Sequence, residues 1–68
     1  ALDNGLRDIK LIVKQSTMVL KSGGMLILEH GYQQQKEVKN IFIDNRFSDI
    51  VNLKDFQGHP RITLGTLG

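Results

Sequence analysis

Residues 23–28, two glycines followed by Met25, Leu26, Ile27 and Leu28, constrain the fold more than any other segment. Four consecutive apolar side chains, without alternation and bounded by glycine, read as a short strand covered on both faces, with one helix on each. That is demanding in 68 residues, because few elements remain to cover a strand twice. A chain of this length buries only about 60% of the surface its unfolded form exposes. Small domains often compensate with disulfides or a metal. There is no cysteine, so neither a disulfide nor a thiolate zinc site can form. Either the chain folds on two helices and a few strands, or it is a piece of something larger.

On either side of this strand the spacing turns helical. Leu6, Ile9, Ile12, Val13, Val19 and Leu20 share one broad face of a helix over 6–21, led in by residues 1–5. Leu11 and Met18 make a second, narrower apolar stripe. They are either tolerated exposed residues or a contact with protein outside this chain. A left-handed turn at Gly23-Gly24 would end the helix. From 33 to 46 the pattern is again helical, with Val38, Ile41, Phe42 and Asn45 on one face and Ile43 off it. Residues 49–54 read as a strand and 55–60 as a loop, where Gly58 and Pro60 break regular structure. Arg61-Ile62-Thr63-Leu64 alternates as a half-buried strand, in which Ile62 and Leu64 can pack under one helix. The order is helix, strand, helix, strand, strand: an α/β chain of two helices and a three-stranded mixed sheet. The first two strands should run parallel and the last two antiparallel.

Charge and hydropathy exclude several classes. A net charge of +2, from basic residues that are scattered rather than clustered, gives no argument for direct nucleic-acid binding. No apolar run approaches the roughly 20 residues of a membrane span, and the start carries no signal-peptide pattern. A cytoplasmic location is the resulting expectation. His30 and His59 are too few for a metal site. Lys10, Lys14, Lys21, Lys36 and Lys39 fall away from the apolar faces and read as solvated surface.

The motifs resemble a known family. Leu20-Lys21-Ser22-Gly23-Gly24-Met25-Leu26-Ile27-Leu28-Glu29 is similar to the segment before the fifth strand of class I S-adenosylmethionine-dependent methyltransferases. Within that class, Glu29-His30-Gly31-Tyr32-Gln33 resembles the Glu-x-Gly-x-Gln signature of HemK/PrmC-type enzymes. Asp55, Gly58 and Arg61, followed by Ile62-Thr63-Leu64-Gly65, resemble that family's ending. Ala1-Leu2 and Gly5-Leu6 resemble its entry into the helix before the fifth strand.

The resemblance implies that residues 1–68 are the C-terminal part of a Rossmann-like catalytic domain. It places the third strand between the other two, antiparallel to both, whereas pairing of sequence neighbours would give first-second-third. It implies a parent that methylates the glutamine of the Gly-Gly-Gln motif in peptide-chain release factors, with S-adenosylmethionine as donor. The family's cofactor turn and its Asn-Pro-Pro-Tyr motif are absent here, and Pro60 is the sole proline. This chain should therefore carry no catalytic or cofactor-binding residue and bind no S-adenosylmethionine by itself.

Glu29 and His30 end the first strand, where ligands gather in open α/β sheets, and are the substrate-proximal candidates. The competing reading is that they order the following turn. Gln33, Gln34 and Gln35 read as a polar helix start, with Gln33 matching the family glutamine. Asp55 and Arg61 are spaced to pair across a hairpin, as a brace or as a dock for a protein substrate. A bare edge on the first strand would invite self-association. Two alternatives stand beside this reading: a class I methyltransferase with another substrate, and a stand-alone binding module.

Overall fold

A computed structural model describes residues 5–68. The helix lead-in expected at residues 1–4, and the resemblance carried by Ala1-Leu2, lie outside the described residues. The elements are α1 (Leu6–Val19), β1 (Met25–Glu29), a 3-10 turn (Tyr32–Gln34), α2 (Gln35–Asp44), β2 (Phe47–Lys54) and β3 (Pro60–Leu67). The sheet order is β1-β3-β2. β3 pairs antiparallel with both neighbours, Leu26 opposite Gly65 on one side and Asn52 opposite Thr63 on the other. Thus β1 and β2 run the same way without touching, and both hydrogen-bonded ladders are antiparallel. The order is the one implied by the family resemblance, not the one that adjacency in sequence would give.

The joints follow from local chemistry. Gly23 has φ 89°, a left-handed conformation that costs glycine little. Its N–H donates to the Leu67 carbonyl at 2.7 Å, and the Leu67 N–H donates to the Gly24 carbonyl at 2.8 Å. The glycine pair thereby ties the entry of β1 to the end of β3. The α2 C-terminus closes when the Asn45 side chain donates to the Ile41 carbonyl at 2.8 Å. β2 starts at Phe47, two residues before its expected start, and β3 continues past Leu64 to Leu67. Between Ser48 and Val51 the register gains one residue on β2 against β3, and Asp49 has φ 51°. This bulge returns Ile50 to the core side.

Both helices lie on one face of the sheet. Val13 of α1 and Val38, Ile41 and Phe42 of α2 are buried together with Phe47 and Leu67, and Leu26, Leu28 and Ile50 pack against them. The fit is close enough that a Cβ on Gly65 would lie 2.8 Å from the Phe42 ring. The opposite face is open: Ile27 is 59% exposed, and Met25, Val51 and Leu53 are exposed as well. This corrects the expectation that β1 is covered twice, with one helix on each face. Two helices packed side by side share Val13 and Val38 in one core. Separated, each would cover its face only partly.

Three further expectations change. On α1 the buried stripe is Val13 and Ser16 with Leu6, Ile9 and Leu20 beside them, while Ile12 and Val19 join Leu11 and Met18 on the exposed side. Ser16 can be buried because its hydroxyl donates to the Val13 carbonyl at 2.6 Å. In β3 it is Thr63 that lies under the helices, fully buried, while Ile62 and Leu64 belong to the open face. Gln34 is buried, not solvated, because it closes the 3-10 turn: its Oε1 accepts the Gly31 N–H at 3.0 Å.

Candidate functional site

The carboxyl end of β1 carries the two residues expected near a substrate, and the strand sends them opposite ways. Glu29 is exposed and lines an open cleft of about 340 Å³ with Lys54, Asp55, Phe56, Arg61 and Ile62. His30 turns inward and is only 7% exposed. Its Nε2 lies 2.6 Å from the Thr63 hydroxyl and its Nδ1 2.8 Å from the Gly31 carbonyl. Thr63 in turn donates to Asn52 Oδ1 at 2.8 Å. His30 is thus joined to the sheet, and Glu29 alone of the two faces the cleft.

The β2–β3 turn forms the other wall. Asp55 Oδ1 accepts the backbone N–H groups of Gln57 at 2.8 Å and His59 at 2.9 Å. Its Oδ2 accepts from Arg61 Nε at 2.5 Å. The His59 N–H acts most strongly on the Asp55 carboxyl and lowers it; desolvation comes second and opposes, and the Arg61 hydrogen bond, the Gln57 N–H and the Arg61 charge bring the net result below the ordinary carboxylate value. Arg61 and Asp55 therefore brace the hairpin, as their spacing suggested.

Tyr32 links this hairpin to the turn after β1. Its ring stacks on His59 at 4.5 Å between centroids, and the Arg61 guanidinium lies 5.6 Å from its centroid. Phe56, at the tip, is fully exposed. Sequence reasoning passed over Tyr32, Thr63, Asn52 and Phe56. Only an aromatic inside a turn and a threonine in an alternating strand could have flagged them.

The arrangement offers orientation rather than acid–base chemistry: the Glu29 carboxylate on one wall faces Lys54, Phe56 and the Arg61-bound Asp55 carboxylate on the other, around an open cleft. Among the described residues, no three His, Cys, Asp or Glu side chains gather as a metal would need. His30 and His59 do not form a pair, since His30 is engaged with Thr63 and Gly31 and His59 with Tyr32. No helix among the described residues is long and apolar enough to cross a membrane.

No family model matches the chain. Against individual proteins it aligns over 65 residues, 96% of its length, at 43% identity with proteins from Pasteurella multocida and Escherichia coli. A protein of Vibrio cholerae is 42% identical over the same length. These relatives are release factor glutamine methyltransferases. The chain spans 22–24% of their length, so it is similar to a segment of a release factor glutamine methyltransferase, in agreement with the HemK/PrmC-type motifs at both ends of its sheet.

Proposed function

We propose that residues 1–68 are the C-terminal part of the catalytic domain of an S-adenosylmethionine-dependent methyltransferase. The enzyme methylates the side-chain amide of the glutamine in the Gly-Gly-Gln motif of peptide-chain release factors. The observation that carries this reading is 43% identity along 96% of the chain to proteins named for that reaction. A β3 inserted antiparallel between β1 and β2 is consistent with it.

An amide nitrogen is a weak nucleophile because its lone pair is delocalised, so the enzyme's task is to hold it in line with the methyl group. Within this segment, Glu29 is the substrate-proximal residue, facing the cleft beside Lys54 and Phe56. His30 acts behind it, by anchoring the turn that follows β1.

The residues present do not fit the cofactor. The Gly23 N–H is spent on Leu67 and the Gly24 N–H on Lys21, so the only glycine pair offers no donors to a ligand. Cofactor and catalytic groups belong to other parts of the enzyme. Its place of action is the cytoplasm, where release factors work. The outer edge of β1, unpaired among the described residues, is a route to self-association when the segment stands alone.

The test is transfer of labelled methyl from S-adenosylmethionine to a release factor by the protein that carries this segment, with the modified residue found by mass spectrometry. Label on the Gly-Gly-Gln glutamine is expected. Label on another residue, or on another substrate only, overturns the reading. The isolated chain should transfer none.

A further inference from the structure

We propose that His30, Thr63 and Asn52 form a proton-linked relay across the three strands. Its hydrogen bonds reverse direction when His30 changes protonation state.

The argument is one of donors and acceptors. The Gly31 carbonyl can only accept, and it lies 2.8 Å from His30 Nδ1, so Nδ1 carries a proton. The same carbonyl accepts the Gln34 N–H at 2.9 Å, using its second lone pair to start the 3-10 turn. Thr63 has one hydroxyl proton, and it points to Asn52 Oδ1 at 2.8 Å. Its oxygen therefore accepts from His30 Nε2 at 2.6 Å, and Nε2 also carries a proton. Both nitrogens donate in this arrangement, which is the protonated form of the relay.

Loss of the Nε2 proton forces a rearrangement. Two lone pairs would face each other across 2.6 Å unless the Thr63 hydroxyl turns to donate to Nε2. Thr63 is fully buried and cannot take a water in compensation. Once it has turned, Asn52 Oδ1 meets a lone pair, and the Asn52 amide rotates by half a turn to present its NH2 group to the Thr63 oxygen. One proton leaving a ring just past the end of β1 thus inverts a side-chain amide on β2, with no displacement of the backbone. The neutral alternative with the proton on Nε2 is disfavoured, because Nδ1 would then oppose the Gly31 carbonyl.

The surroundings leave the ring to its polar partners. α1 contributes Val13 and Ser16 to the covered face and α2 contributes Val38, Ile41 and Phe42, none of them titratable. From β3 the residue opposite is Arg61, whose guanidinium is bound by Asp55 and lies over Tyr32. Gln34, in the 3-10 turn, is neutral. Glu29, the neighbour on β1, faces the cleft, and Lys54 of β2 lines it too.

Side-chain 15N NMR of the chain across pH tests the relay. Nδ1 of His30 should keep its proton throughout while Nε2 alone titrates, and the Asn52 side-chain NH2 resonance should move with the same midpoint. Thr63→Val should abolish the Asn52 step, and Thr63→Ser should keep it. Asn52→Asp, which can only accept, holds Thr63 donating away from the ring. It should raise the His30 midpoint, and adding Thr63→Val should shrink that rise. A neutral ring protonated on Nε2 would overturn the relay. So would an Asn52 resonance that stays flat while the ring titrates, or a ring that does not titrate between about pH 4 and 9. Should Thr63→Val not fold, the Asn52→Asp midpoint and the wild-type Asn52 resonance still decide the matter.

Discussion

The two faces of the sheet are built from the same three strands and nearly the same residue types, yet they differ in every energetic respect. On the covered face, Leu26, Leu28 and Leu67 pack into the core with the helices, Gly65 lies against Phe42, and Thr63 is fully buried. On the open face, Ile27, Leu64 and Val51 line up in one cross-strand row, and Ile27 and Val51 are exposed. Side-chain chemistry does not tell the two rows apart. What separates them is that the helices form a single layer, so apolar character on the other face contributes little to the stability of this chain. The covered face, conversely, admits two polar groups, Thr63 and His30, because each satisfies the other.

The sharpest way to break this comparison is to remove the ring at the centre of the covered face. Phe42 is fully buried, so Phe42→Ala should cost about 3–5 kcal/mol. That is comparable to the whole stability expected of so small a core, about 3–5 kcal/mol. Circular dichroism should show an unfolded or molten chain, and a cooperative melt near the wild-type temperature would contradict the core assignment.

Adding atoms to the same place should act less strongly. Gly65→Ala puts a methyl group 2.8 Å from the Phe42 ring. Overpacking of this kind costs about 1–3 kcal/mol. A urea midpoint equal to the wild type would mean that Phe42 moves aside freely.

The faces can be compared directly on β1, one residue apart. Leu28→Ala should cost about 2 kcal/mol, at the low end for a core leucine, because Leu28 is only partly buried. Ile27→Ala, on the open face, should stay within about 0.5 kcal/mol. Equal losses in chemical denaturation would show that something covers the open face in solution. Sedimentation velocity would then distinguish a second copy of the chain from a monomer.

The smallest effect belongs to the hairpin, outside both faces. The Asp55 carboxyl is held below its ordinary value of 3.8 in the folded chain. A depressed folded value means that stability from this group is present above the unfolded value and is lost as pH falls through the folded one. Between wild type and Asp55→Asn, the stability difference should therefore be constant at neutral pH and shrink in acid. A difference independent of pH down to full protonation would show that the brace does not depend on the charge.

Much of this was open to reading in the sequence, and the reasons are local. The 3.6-residue spacing of Val38, Ile41 and Phe42, with Ile43 off the face, defines the buried side of α2 wherever the helix sits. Gly23 marks a joint that needs a positive φ. The Asp55–Arg61 spacing suits a pair across a tight turn, and the motifs identified the relatives. The rest depended on what lies across space. Four apolar residues in a row carry no information about how many layers will cover them, so Ile27 and Leu28 looked alike until both helices were seen on one side. Ile62, Thr63 and Leu64 alternate equally well in either sense, and a phase slip by one residue exchanges the faces. The choice in favour of Thr63 was made by His30, 33 residues away in sequence, and by Asn52, on the far strand. A buried hydroxyl is acceptable only where partners meet it, and which partners meet it is a property of the assembled sheet.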